Sequence, residues 1–120
     1  MTNEPNKYDL EERTAKFGED VIMLCKIIKI TIYTEPIIKQ ILRSATSVGA
    51  NYMEANGASS KKDFCHKIFI CKKEAQETKH WLRMLSSASE QHHDKIKELL
   101  DEAIQLSMIF HKISSSAKLN

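Results

Sequence analysis

The chain has 120 residues, 42% hydrophobic and 28% charged, with only 3 glycines and 2 prolines. That is the balance of a single helical domain, large enough to bury a modest core without metal or disulfide staples. Aromatic residues at 7% argue against a β-sandwich core, and a net charge of +2 is too small to imply nucleic-acid binding by itself, so any electrostatic argument rests on where the charges lie.

The N-terminal stretch Met1 to Asp9 has no apolar core and does not read as an export signal. A first helix is expected from about Leu10 to Ile30, because Leu10, Thr14, Phe17, Val21, Leu24 and Ile28 step by three and four. Lys26, Lys29 and Lys39 interrupt the longest apolar stretches, so no membrane span is expected. Thr31 to Thr34 is β-branched and aromatic, and Pro36 is tolerated in a first helical turn, which makes Thr34 the expected N-cap of a second helix.

The second helix is expected over about 35–56, with Ile38, Ile41, Leu42, Ala45, Val48, Gly49 and Tyr52 on its core face. Its later part is poor in bulky side chains, which lets neighbouring backbones approach closely on more than one side. Gly57 is expected to turn the chain in a left-handed conformation. Ser60-Lys61-Lys62-Asp63 is a near capping box that opens a third helix over about 61–87. The stripe of this helix is Phe64, Ile68, Cys71, Ala75, Thr78, Leu82 and Leu85, and Ser86 to Ser89 weakens its end. A fourth helix over about 94–117 carries Ile96, Leu99, Leu100, Ala103, Leu106, Phe110 and Ile113. Short connections and this spacing favour an all-α, antiparallel up-down-up-down four-helix bundle.

The third helix is asymmetric about its stripe. Placing residues at about 3.6 per turn gathers Lys61, Lys62, Lys72, Lys73, Lys79 and Arg83 on one flank, with His66, His80 and Phe69 among them. Clustered cations beside a stacking ring are what phosphate and base contact require. The competing reading is a solvated face with no partner. The opposite flank holds Asp63, Glu74 and Glu77 beside Ile70 and Trp81. An off-core Trp next to Ile, together with the small outer face formed by Ser44, Ser47, Ala50, Asn51 and Glu54 on the second helix, reads as a subunit interface. Glu54, Glu74 or Glu77 is then expected to meet Arg43 or a lysine of the next subunit.

Residues 43 to 64 (Arg-Ser-Ala-Thr-Ser-Val-Gly-Ala-Asn-Tyr-Met-Glu-Ala-Asn-Gly-Ala-Ser-Ser-Lys-Lys-Asp-Phe), with 70 to 82 and 9 to 17, resemble the bacterial four-helix-bundle proteins encoded in intervening sequences of 23S rRNA genes. That family was once filed with the ribosomal proteins. Its relatives include the accessory variability determinant of diversity-generating retroelements, whose members look like basic pentameric barrels that bind nucleic acid and a reverse transcriptase. The resemblance implies a ring-shaped homopentamer and nucleic-acid contact, RNA or DNA, through the basic flank of the third helix.

Other chemistry is less well supported. The motif Glu-x-x-His occurs twice, at Glu77 to His80 and Glu90 to His93. Four-helix di-iron sites use it, but they need inward side chains and a further Glu from each remaining helix. Here the first pair faces away from Ala75 and the second falls at the bundle end, so no metal or other cofactor is expected. Cys25, Cys65 and Cys71 are odd in number and lack CxxC spacing, which points to free thiols in a reducing cytoplasm. Cys71 and Cys25 read as small buried hydrophobes. Cys65 lies near the basic flank, beside Lys61 and His66, but it lacks a matched His and acid to orient it as a nucleophile. No Ser/His/Asp arrangement, phosphate loop or zinc spacing is visible. The expected function is non-enzymatic and nucleic-acid associated. The rival is a protein-binding scaffold using Ile22, Ile27, Phe69 and Ile70.

Overall fold

A computed structural model describes residues 7–119, with side chains over 10–117; the first six residues, read above for an export signal, lie outside the described residues. Four helices follow one another: α1 (Lys7–Ile27), α2 (Thr34–Asn56), α3 (Lys61–Ala88) and α4 (His93–Leu119). No strand occurs among the described residues, and no helix is long and apolar enough to cross a membrane.

The first connection corrects two expectations. α1 stops at Ile27 rather than Ile30, and Thr34 is the first residue of α2 rather than its cap: Tyr33 precedes the helix without a side-chain cap bond, and the capping hydroxyl comes from Thr31. The Thr31 hydroxyl accepts the N–H groups of Tyr33 and Thr34, both at 3.1 Å, so it neutralises orphan donors of the following helix. Thr34 is buried instead: its hydroxyl accepts the Thr31 N–H at 2.9 Å and donates to the Lys29 carbonyl at 2.8 Å. Two β-branched isoleucines flank Thr31 and make continuation of α1 unfavourable, because their χ1 freedom is restricted against the preceding turn.

The second connection also differs. Gly57 lies at φ −98°, not in the left-handed region. The Gly57 and Ala58 N–H groups donate to the Glu54 and Ala55 carbonyls at 3.1 Å, and these tight right-handed turns satisfy the end of α2. Ser60 then caps α3 as its sequence implies, its hydroxyl accepting the Asp63 N–H at 3.0 Å. In the third connection the left-handed residue is His92, at φ 64°. Histidine is tolerated there better than a β-branched residue, though still at a cost.

Cross-helix pairs fix the directions. Glu11 meets Asn56, Arg43 meets Glu74 and Glu77, and Arg13 meets Glu102, so each helix runs antiparallel to the neighbour it pairs with. Phe17, Ile41, Ile68, Leu82, Leu106 and Phe110 are almost wholly buried, each worth about 1.5–3 kcal/mol of transfer free energy. The rings of Tyr52 and Phe110 meet at 5.9 Å between centroids. α1 and α2 approach closely because glycine stands at their contact. A Cβ on Gly49 would lie 3.4 Å from Thr14 backbone atoms, and one on Gly18 would lie 3.7 Å from the Thr46 Cα. Ser44, expected on an outer face, is fully buried; it accepts from the Thr78 hydroxyl at 2.8 Å, which lets two polar side chains share the α2–α3 core without an unsatisfied donor. α1 and α4 pack least well and leave a groove of about 750 Å³ between them.

Candidate nucleic-acid interface

α3 contributes 28 residues, and its stripe from Ile68 through Cys71, Ala75, Thr78 and Leu82 to Leu85 is buried between its neighbours. The flank turned away from this stripe carries Lys61, Lys62, Lys73, Lys79 and Arg83, all exposed, with Lys72 half-buried among them. At 1.5 Å per residue the row extends over about 33 Å. Among the described residues, none of these six cations enters an ion pair. Several cations elsewhere are paired: Lys16 meets Asp20 at 3.2 Å, Lys39 meets Glu35 at 3.6 Å, Lys97 meets Asp101 at 3.4 Å and Lys67 meets Glu54 at 2.7 Å, whereas Lys26, Lys29, Lys95 and Lys112 are exposed and scattered. Phe69 stands within the basic row, and His66 and His80 are exposed beside it. The geometry is that of a long convex cationic ridge with one bare aromatic ring, suited to polyanion contact.

The opposite flank corrects the expected inter-subunit ion pairs. Arg43 Nη1 donates to Glu74 Oε2 at 2.9 Å and Nη2 donates to Glu77 Oε2, both within one chain. Lys67 engages Glu54, likewise within the chain. The antiparallel register of α2 and α3 causes this, since it places 43 beside 74 and 77, and 54 beside 67. Trp81 is not an off-core residue. Its ring is half-buried against the chain's own apolar core, its Nε1–H donates to Glu77 Oε2 at 3.4 Å, and the His80 ring meets it edge-on at 5.0 Å. With Tyr33, Ile37, Met84 and Ala88 it lines a shallow groove. Ile70 is half-buried and Ala50 exposed. Ser47 and Asn51 turn their polar atoms back onto α2, donating to the Arg43 and Ser47 carbonyls at 2.7 and 2.8 Å.

Of the Glu-x-x-His pairs, Glu77 is engaged by Arg43, while Glu90 and His93 lie about the third connection, with His93 Nε2 2.6 Å from the Ser89 carbonyl oxygen. Among the described residues no three His, Cys, Asp or Glu side chains converge to hold a metal ion. The three thiols are free. Burial pushes Cys25 up to about 11 and Cys71 up to about 12, so both are neutral and unreactive near neutrality; the Cys71 thiol donates to the Val48 carbonyl at 3.6 Å.

Sequence reasoning missed the bidentate pair across the α1–α4 seam. Arg13 Nε and Nη2 donate to the Glu102 carboxylate at 2.7 and 2.8 Å, and the contact holds the guanidinium above its ordinary range. Each residue borders its helix's apolar stripe, but 89 positions separate them, and only the register of the folded chain joins them.

Comparison with known proteins agrees with this architecture. A solved protein of unknown function from the S23 ribosomal protein family of Bacteroides thetaiotaomicron VPI-5482 is 30% identical, with 87% of this chain and 96% of that chain covered at a TM-score of 0.75. No curated protein matches. Residues 7–112 match the family described as 23S rRNA-intervening sequence protein. The chain belongs to the 23S rRNA-intervening sequence protein family.

Proposed function

We propose that this protein is a non-enzymatic nucleic-acid-binding protein, with RNA as its preferred ligand, that works as a homo-oligomer and presents α3 as its contact surface. One observation carries the reading: the six clustered cations of the α3 ridge lack carboxylate partners, whereas Arg13, Lys16, Lys39, Arg43 and Lys97 of the other helices have them. Unpaired cations attract phosphate and release its counterions, while paired ones are already neutralised. Repetition around a ring would multiply the field. The homopentameric form follows from the resemblance of 43–64 and 70–82 to ring-forming relatives. Ala50, Ser47, Asn51, Ile70 and Trp81 are its proposed contact residues, with Arg43, Glu54, Glu74 and Glu77 held in place behind them.

Binding to a structured rRNA fragment and a DNA duplex across a salt series tests the ligand. Affinity should fall steeply as salt rises, with a slope near −0.9 for each duplex phosphate neutralised, and a Lys72→Glu, Lys73→Glu, Lys79→Glu variant should lose it. Absence of binding at low salt would overturn the reading. For assembly, Ala50→Arg is the cleaner probe because Ala50 is exposed in one chain and Trp81 is not; mass should drop to that of a single chain with helix content unchanged.

A second reading has its own support. Ile27, Ile30, Ile32 and Tyr33 are exposed around the first connection, Ile32 at 79%. An apolar group of this kind suits a protein partner, and capture by that partner would be nearly insensitive to salt.

A further inference from the structure

We infer that α3 selects unpaired nucleotides over duplex, with Phe69 as the platform on which a base stacks; this rests on the reading of α3 as a nucleic-acid contact surface. Phe69 follows Ile68, which is fully buried, yet is itself 51% exposed. The step of about 100° between them carries the phenyl ring out of the core and onto the ridge. Its neighbours at three and four positions are Cys65, His66, Lys72 and Lys73, with Lys62 one further turn back. All of these are exposed or half-exposed, and none of the three lysines meets a carboxylate among the described residues.

Two chemistries compete for a bare ring in such a place. An apolar protein surface laid over Phe69 would also cover the flanking ammonium groups, and an unpaired ion removed from water costs several kcal/mol. A nucleotide carries a π-face and a phosphate in one unit, so the ring and the lysines are satisfied together. Duplex offers only the second half of that match. Its bases are stacked on one another, and the A-form major groove is too deep and narrow for side chains to read. A ring projecting from a convex helix reaches an unpaired base, in a loop, a bulge or a single strand, and little of a continuous helix.

The test is fluorescence anisotropy with a short unstructured oligouridine and an RNA duplex of equal length, at one moderate salt concentration. Wild type should bind the single strand more tightly. Phe69→Ala should weaken single-strand binding by about tenfold, the size expected for one stacked base, and leave duplex binding and the salt slope unchanged. Phe69→Trp should restore the single-strand affinity. Circular dichroism establishes that Phe69→Ala remains folded, as expected for a side chain half in water. If Phe69→Ala binds both ligands as wild type does, or weakens both equally, the inference falls while phosphate binding by the ridge stands. If wild type binds neither ligand at low salt, the reading of α3 as a nucleic-acid surface falls with it.

Discussion

The two flanks of α3, one mainly basic and one mainly acidic, differ in what faces them. On the α2 side, Arg43 spans Glu74 and Glu77, Trp81 donates to Glu77, and Lys67 reaches Glu54. Those charges are consumed in fixing one helix against the next. On the other side Lys61, Lys62, Lys72, Lys73, Lys79 and Arg83 enter no ion pair among the described residues. A charge matters to folding when the register supplies a counter-charge, and to recognition when it does not.

Breaking the comparison starts with the outer flank. Lys72→Glu, Lys73→Glu, Lys79→Glu should reduce RNA affinity by about a hundredfold or more at low salt, since each reversal removes one phosphate contact and adds repulsion. Its urea midpoint should stay at the wild-type value. A comparable loss of stability would show that the ridge serves the fold.

The inner flank should respond the other way. Arg43→Ala leaves the buried Glu74 without its guanidinium and should destabilise by about 1–2 kcal/mol, below the cost of a wholly buried pair because Arg43 is partly solvated. RNA affinity should not change. An unchanged urea midpoint would mean the pair is decorative.

The stripe between the flanks has a pH signature. Cys71 ordinarily titrates near 9.0 and burial raises it to about 12. The folded state therefore favours the neutral thiol. Its contribution is fully present below pH 9 and is lost as pH rises, because the unfolded chain ionises first; by pH 10 the loss is on the order of 1 kcal/mol. Urea midpoints across pH 8 to 10 should fall less steeply for Cys71→Ala than for wild type. The smallest effect belongs to His92, whose φ of 64° costs a side chain that glycine lacks. His92→Gly should raise stability by up to about 1 kcal/mol, read as a small increase in Tm.

The sequence disclosed what depends on one helix at a time. The alternation of threes and fours from Ile68 to Leu85 named residues that are in fact buried, and the six cations fell on one flank by the same geometry. It failed where two helices must be aligned. Nothing in one strip of sequence shows that 43 stands beside 74 and 77, so the sequence alone sends Glu54, Glu74 or Glu77 to Arg43 or a lysine of the next subunit. Ser44 reads as outward for the same reason: a serine bordering a stripe is inward or outward depending on whether a hydroxyl such as that of Thr78 meets it. The connections failed differently. Thr31 and Thr34 are equally good caps by composition, and the buried bond from Thr34 to the Lys29 carbonyl decides between them.

The close glycine contact of α1 with α2 has a mechanical counterpart in the loose seam of α1 with α4. One edge of α1 is a hinge, with Gly18 and Gly49 drawing two backbones together; the other is a latch, with Arg13 and Glu102 spanning an open groove. Exposure of the core is therefore cheapest by releasing the latch and letting α1 swing, while α2, α3 and α4 stay packed. Amides along α1 should exchange with solvent before those of α3, and Arg13→Ala should accelerate that exchange more than it lowers global stability.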